Sequence, residues 1–337
     1  MKNLIYSCVF FNENYIELIN LLLKSYTLFG DPSENTDYLI ICSPEFKDRI
    51  QETLHSLNLN EKIWCLTVTS KFESAYTRLK IFEYPEIHLY DKILYLDCDI
   101  LITNSVDHLL NIELENKIYV LKEGGGRFYH YALFTEEEIE SLDKNSAFSS
   151  GILLFNNNDT IKNLFSLILL HIKFHLSHEL AIPQWLDQPF IVYHAIKHNL
   201  YNNTTLENLV INNPSLFKGE TISHFCGVPG HYESKIYKMC HFMHTVMFNQ
   251  DVDKFEKGNG LNHLTHKKYK WEESCILFLE NGKMNAFGEG KYNFINKYLV
   301  KCDFGRRVHL LKFNSDYSTF ISVRKDDFEV VRGHSLL

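Results

Sequence analysis

The sequence predicts an α/β protein: a mostly parallel mixed sheet followed by a small antiparallel β module. Over the first 250 residues, short apolar runs alternate with segments whose apolar residues recur at helical spacing, the rhythm of βαβ units in a Rossmann-like sheet. Beyond residue 269 the runs shorten and alternate around Asn-Gly and other glycine-containing turns, which is typical of antiparallel strands. We expect a first domain at 1–250, a polar linker at 251–268 and the β module at 269–337.

The apolar pattern places each element of the first domain. Segment 121–145, which contains three consecutive glycines and an acidic run, is predicted to be a surface excursion with a short helix that forms a lid or an acceptor wall. Strands are predicted at 4–11, 38–42, 62–68, 92–96 and 150–156, and helices at 15–28, 75–84 and 161–175.

The β module is predicted from six short alternating runs, at 275–279, 283–287, 298–302, 308–313, 319–323 and 328–331. It carries no catalytic signature. The default hypothesis is that the module serves packing or oligomerisation. The more specific hypothesis is that it binds a glycan through exposed Tyr292, Phe294 and Tyr317.

Composition excludes several classes of protein. The chain has 337 residues, of which 45% are hydrophobic and 23% charged, and its net charge of −8 argues against a nucleic-acid binder. Its eight cysteines occur singly, as free thiols do in a reducing compartment. The first apolar run is short, so we expect it to form the first strand and not a signal peptide. No run is long enough for a membrane span. We therefore expect a cytoplasmic protein, either of a cell or of a virus in its host cell.

The most informative stretch is residues 92–99, where an apolar strand ends in two carboxylates, Asp97 and Asp99. Ligands of open parallel sheets bind beyond the carboxyl ends of the strands. Two acids at that place could be solvated strand-end residues, but they are well placed to hold a hard divalent cation, which can bridge to a diphosphate.

Further motifs follow in a fixed order, and together they carry a resemblance. The strand and its Asp-x-Asp pair are preceded by the motif Tyr-Thr-Arg-Leu-Lys-Ile at 76–81. They are followed by residues 100–109, which belong to the same motif region. The others are Asn12 to Tyr15, Ser149-Ser150-Gly151 before an apolar strand, Asp187-Gln188, and His224-Phe225-Cys226-Gly227. Residues 1 to about 245 thereby resemble glycosyltransferase family 8, the family of glycogenin and of bacterial lipooligosaccharide galactosyltransferases, which have the GT-A type of fold.

The resemblance implies a metal-dependent retaining glycosyltransferase that moves a hexose-type sugar from a UDP-sugar to a hydroxyl acceptor. It implies a metal site of Asp97, Asp99 and His224, in which two carboxylates and one imidazole suit Mn²⁺ better than Mg²⁺. The implied catalytic residues are Arg78, Asp187 and Gln188. The implied UDP-sugar contacts are Phe10, Asn12, Tyr15, Arg78, Cys98, Ser149, Ser150 and Gly227. Self-glycosylation and a homodimer are variants within the same expectation.

Two departures from the family pattern keep alternatives open. Gly230-His231-Tyr232 stands where the family has Lys-Pro-Trp, and Ser149 where it has asparagine. His231 or Lys235 could supply the missing cation. A sugar-nucleotide- or glycan-binding protein without turnover is therefore the first alternative. A sugar nucleotidyltransferase is the second, although the chain lacks the glycine-rich basic loop that this class usually has after the first strand.

Overall fold

The structure is a computed structural model that describes residues 1–60, 62–123, 130–143, 145–227, 231–248, 261–272, 274–286 and 288–336. The described residues of the first part form ten strands in two sheets. They are β1 (Asn3–Val9), β2 (Thr36–Cys42), β3 (Lys62–Cys65), β4 (Lys92–Leu96), β5 (Ile100–Ile102), β6 (Ile118–Lys122), β7 (Phe148–Asn156), β8 (Tyr201–Asn202), β9 (Val210–Asn212) and β10 (Ile222–His224).

In the part of the chain that the structure describes, the central sheet has seven strands, in the order β3-β2-β1-β4-β7-β6-β8. Strands β3, β2, β1 and β4 are mutually parallel, β7 is antiparallel to both of its neighbours, and β6 and β8 are parallel. A second sheet places β10 between β5 and β9. The prediction of a Rossmann-like, mostly parallel mixed sheet is confirmed.

Two apolar clusters cover the faces of the central sheet. One contains residues of α1 (Asn14–Phe29) and of the helix at Tyr232–Phe242, and the other those of the helices at Asp159–Ser177 and Gln188–Lys197. Numbered in chain order, the helices are α1, α2 (Lys47–Ser56), α3 (Lys71–Tyr76), α4 (Asp107–Leu110), α5 (Glu136–Ser141), α6 (Asp159–Ser177), α7 (Gln188–Lys197), α8 (Tyr232–Phe242) and α9 (Leu261–Leu264).

The helix predicted at 75–84 is the main error in this part. The chain forms α3 and then a 3₁₀ helix at Thr77–Glu83. Helix α3 begins early because the Ser70 hydroxyl accepts a hydrogen bond from the Glu73 amide at 3.1 Å, the usual action of a serine cap. Strand β3 is also shorter than predicted, and the three glycines at 124–126 lie outside the described residues.

The C-terminal module is a closed antiparallel barrel. Its strands are β11 (Lys268–Trp271), β12 (Ser274–Phe278), β13 (Lys283–Asn285), β14 (Glu289–Phe294), β15 (Leu299–Asp303), β16 (Val308–Phe313), β17 (Thr319–Arg324) and β18 (Val330–Ser335), and β18 pairs with β11. The antiparallel module is confirmed, but β11 and β14 were not predicted.

The barrel interior is aromatic. Tyr292, Phe294 and Tyr317 are buried in it, with exposures of 0%, 6% and 4%, so the prediction that these rings are exposed for glycan binding is wrong. The outside of the barrel packs on the first part of the chain through Leu299, Leu310, Val323 and Phe328, which belong to the apolar cluster of α1. Over the residues that the structure describes, no helix combines the length and the apolar character needed to cross a membrane.

Candidate active site

The three predicted metal ligands come together at the carboxyl end of β4. Asp97 follows β4 directly, Asp99 precedes β5, and His224 ends β10. Strands β5 and β10 pair so that His224 lies opposite Ile100, and the Phe225 amide donates to the Asp99 carbonyl at 2.8 Å. One ligand atom of each of the three side chains lies within 4.8 Å of the others.

Two contacts indicate that these side chains fit a cation. Asn212 Oδ1 lies 2.9 Å from His224 Nδ1, which fixes the proton there and directs the lone pair of Nε2 toward the acids, as second-shell partners of metal-bound histidines do. Asp99 Oδ1 is buried and has no hydrogen-bond partner among the described residues, although His224 Nε2 lies 3.3 Å away. A divalent cation would satisfy this oxygen.

The glycine of the Ser-Ser-Gly motif is required by this geometry. A Cβ atom at Gly151 would lie 2.6 Å from His224 Cε1, 2.9 Å from Nε2 and 3.0 Å from Asp97 Oδ2. The imidazole therefore approaches the backbone of β7 more closely than any side chain at this position would allow.

Arg78 is the centre of a buried polar network. It is 5% exposed, and its Nε and Nη2 donate to the two oxygens of Asp187 at 2.8 and 2.9 Å. Its Nη1 donates to the Ser150 carbonyl at 2.7 Å and its Nη2 to the Ser150 hydroxyl at 2.9 Å. Asp97 Oδ1 is 3.4 Å from Nη1. Arg78 is therefore held inside the protein and does not lie on a helix surface.

Asp187 is held by this arginine. It stands at the N-cap position directly before α7, where an acid often caps a helix, but both of its oxygens accept from the guanidinium. Tyr95 donates its hydroxyl to Asp97 Oδ1, so that Asp97 Oδ2 is left for a cation. Burial raises the pKa of Asp97, while the nearby charge of Arg78 lowers it.

Lys235 reaches the metal site from α8. Its Nζ lies 2.6 Å from Asp99 Oδ2. Burial raises the pKa of Asp99, but the charges of Lys235 and His224 outweigh burial and hold that pKa below its usual range. Gly230, whose replacement of the family lysine was noted in the sequence, lies outside the described residues.

Gln188 is held at both ends of its amide. Its Oε1 accepts from the amide and the hydroxyl of Ser150, both at 3.1 Å. Its Nε2 lies 2.8 Å from His130 Nδ1. On the far side of that ring, His130 Nε2 lies 3.5 Å from the carboxylate of Glu123.

One cavity of about 430 Å³ is lined by the three metal ligands and by Arg78, Asp187, Gln188, Lys235, His130 and Glu123. The cavity brings together every predicted site residue except Asn12, whose Oδ1 accepts from the Asn14 amide at 2.9 Å. Ser149 and Cys98 contribute to the wall although they are only 5% and 3% exposed. The roles of these residues toward a donor stay predictions.

Two bulky residues of the cavity wall have left-handed backbone. Phe11 has φ 67° and Leu186 has φ 54°, which costs energy for side chains of this size. The Asn12 amide donates to the Phe10 carbonyl at 2.7 Å, and this tight turn leaves the Phe11 ring 56% exposed.

Sequence reasoning missed several members of the wall. Glu123 and His130 flank the glycine segment, and nothing in their spacing distinguished them. Trp185 could have been found, because it stands two residues before Asp187. Tyr232, whose ring meets that of Tyr15 edge-on at 5.1 Å, could have been found as the aromatic residue in place of the family tryptophan. The other unpredicted members include Cys8, Phe11, Lys71, Tyr95 and Cys226.

A protein-family model covers part of this site. Residues 43–206 match the model of glycosyl transferase family 8, a segment that includes Arg78, Asp97, Asp99, Gly151 and Gln188. The resemblance inferred from the sequence is confirmed over that segment. His224 and Gly227 lie beyond it. No curated protein sequence matches the chain.

Solved structures similar to the chain include three glycosyltransferases. The structure of WbbM, a bifunctional glycosyltransferase, is 16% identical with a TM-score of 0.49; the similarity covers 70% of this chain and 49% of that one. For mouse xyloside xylosyltransferase 1 the identity is 12%, the TM-score 0.48 and the coverage 68% and 99%. For the galactosyltransferase LgtC with donor and acceptor sugar analogues the values are 16%, 0.47, 70% and 95%. The chain thus spans about half the length of the WbbM structure.

Proposed function

We propose that this chain, whose residues 43–206 match glycosyltransferase family 8, is a metal-dependent retaining hexosyltransferase that takes its sugar from a UDP-sugar. The observation that carries the proposal is the convergence of Asp97, Asp99 and His224 at the end of β4, in a cavity that also contains Arg78 and Lys235. An Asp-Asp-His set suits Mn²⁺, with Mg²⁺ as the weaker fit.

The charge of the cavity matches a diphosphate leaving group. When a UDP-sugar reacts, negative charge grows on the oxygen that leaves with UDP. A divalent cation held by the three ligands would neutralise that charge as a Lewis acid. Lys235 supplies a second positive charge 2.6 Å from Asp99, and we assign to it the contact with the diphosphate that the family lysine makes.

The sugar end of the cavity is assigned to Gln188. Both oxygens of Asp187 are occupied by Arg78, so Asp187 is a poor nucleophile and acts by fixing the arginine. Gln188 lines the same cavity, and its Oε1 is an uncharged oxygen that accepts from the amide and the hydroxyl of Ser150. We propose that it stabilises the positive charge that develops at the anomeric carbon, with the acceptor attacking from the face that UDP leaves.

The nucleoside end is assigned to aromatic residues of the loop after β1 and of the first turns of α1 and α8. Tyr15 and Tyr232 line the cavity with Phe10 and Phe11, and aromatic rings are stacking surfaces for a base. The acceptor is a hydroxyl of a glycan or glycoprotein. A homodimer and a cytoplasmic location stay predictions.

The test is UDP release from a panel of UDP-sugars, with Mn²⁺, with Mg²⁺ and with a chelator. Asp97→Ala removes a metal ligand, and Asp159→Ala is its matched control, because Asp159 is an exposed acid outside the cavity. We expect release from one donor that requires metal, is lost in Asp97→Ala and is kept in Asp159→Ala.

Two results would contradict the proposal in different ways. Metal-dependent binding of UDP without release from any donor would favour the alternative of a binding protein. Release that persists in Asp97→Ala would show that the metal site is placed wrongly.

A further inference from the structure

His130 and Glu123 form a pair of polar side chains in the cavity wall to which the proposed reaction assigns no role. His130 is 5% exposed. Its two ring nitrogens face different partners, the amide of Gln188 at 2.8 Å and the carboxylate of Glu123 at 3.5 Å.

The partners determine how the Gln188 amide must be oriented. The Ser150 backbone N–H can only donate, so the Gln188 atom 3.1 Å from it must be the oxygen. The other end is then the NH₂ group, which can only donate. His130 Nδ1 must therefore accept a hydrogen bond.

It follows that His130 carries its proton on Nε2, the ring nitrogen that lies 3.5 Å from the Glu123 carboxylate. A proton on Nδ1 would point at the Gln188 NH₂ group, and two donors cannot form a hydrogen bond with each other. Burial lowers the pKa of His130 and Glu123 opposes that effect, so the net shift favours the neutral ring that this arrangement needs. Glu123 is the charged group that faces the ring among the described residues.

We propose that His130, held by Glu123, is a positioning residue that fixes the orientation of the Gln188 amide and so keeps the Gln188 oxygen on the donor side of the cavity. This inference rests on the proposed function of Gln188. It adds that the glutamine needs a neutral histidine behind it.

The chain offers variants that separate positioning from packing. In His130→Asn the side-chain oxygen takes the place of Nδ1 and accepts from Gln188, but does not titrate. His130→Leu fills the space without an acceptor. His55→Leu is the matched control, because His55 is exposed and lies outside the cavity.

Kinetics of UDP release give the first readout. We expect His130→Leu to lower kcat about ten- to a hundredfold with little change in the donor KM, since a displaced catalytic group has effects of that size. His130→Asn restores most of kcat. Protonation of His130 adds to the fall of wild-type kcat on acidification, and His130→Asn lacks this contribution, so its acid limb should begin at lower pH. Unchanged kcat in His130→Leu, or an acid limb at the same pH in His130→Asn as in the wild-type protein, would overturn the inference.

A second readout does not depend on activity. Nitrogen-15 NMR of the histidine rings, assigned with His130→Asn, reports which ring nitrogen carries the proton. A neutral ring protonated on Nε2 is expected, and a ring protonated on Nδ1 would overturn the inference. If the wild-type protein releases UDP from no donor, the proposed function fails, and the NMR result still decides the orientation of the amide.

Discussion

Replacing Gly151 by alanine is expected to damage the metal site selectively. The added Cβ would lie 2.6 Å from His224 Cε1 and 3.0 Å from Asp97 Oδ2, whereas ordinary van der Waals contact begins at about 3.4 Å. Relief needs a movement of roughly half an ångström or more, which exceeds the tolerance of about 0.2 Å for metal–ligand distances.

The size of the effect follows from that displacement. Disturbing the support of a ligating histidine typically costs ten- to a hundredfold in metal affinity, or about 1.4 to 2.8 kcal/mol. Overpacking of β7 adds a loss of about 1–3 kcal/mol in the free energy of unfolding, which must be measured alongside.

The assay is titration with Mn²⁺, with free Mn²⁺ followed by its electron paramagnetic resonance signal. Gly227→Ala is the matched control, because Gly227 lines the same cavity but the nearest atom to its added Cβ is Lys235 Cε at 3.8 Å. Equal Mn²⁺ affinity for Gly151→Ala, Gly227→Ala and the wild-type protein would refute the reasoning.

Three further predictions use the same network and the buried histidines. Either Arg78→Met or Asp187→Leu alone should lower the free energy of unfolding by about 3–5 kcal/mol, because each leaves a buried charge unpaired. In urea unfolding, the double variant should lose less free energy than the two single variants lose together. Strictly additive losses would contradict the pairing. Lys235→Ala removes the ammonium group that lies against a metal-site carboxylate. Calorimetry should show that this variant binds Mn²⁺ at least as tightly as the wild-type protein but binds UDP more weakly. Weaker Mn²⁺ binding by the variant would contradict the prediction. Burial lowers the pKa of His194 and of His309 to about 4, so the unfolded chain binds more protons than the folded protein as pH falls from 6.5 toward 4. The free energy of unfolding that these two histidines contribute is therefore fully present above pH 6.5 and should decline over that window. His309→Phe should reduce the fall in melting temperature, and a wild-type melting temperature that is constant from pH 7 to pH 4.5 would contradict the prediction.

The accuracy of the sequence predictions varied with how local the signal was. Strand β4 was predicted with its observed bounds, because five consecutive residues are buried on both faces of a parallel sheet. Strand β11 was missed because its sequence, Lys-Tyr-Lys-Trp, alternates lysines that face solvent with rings that fill the barrel, and the polar half resembled a linker.

Contacts between distant parts of the chain limited the prediction of the site. The metal ligands could be named because each stands in a motif of its own. The contact between Lys235 and Asp99 joins residues 136 positions apart, and that between His130 and Gln188 joins residues 58 positions apart. Neither contact affects the local spacing of apolar residues, so neither could be predicted from the sequence. The sequence could only suggest Lys235 and His231 as two possible substitutes for the family lysine.

The way the barrel is attached bears on how the chain can be divided. Its outer residues Leu299, Leu310 and Val323 share an apolar cluster with α1, and the rings of Phe328 and Phe248 lie 6.0 Å apart. A chain shortened at residue 250 would present this side of α1 to water, and the barrel alone would present its own apolar face. Fragments chosen from the apparent linker are therefore expected to associate or precipitate, and the smallest piece that behaves as a monomer should contain both parts.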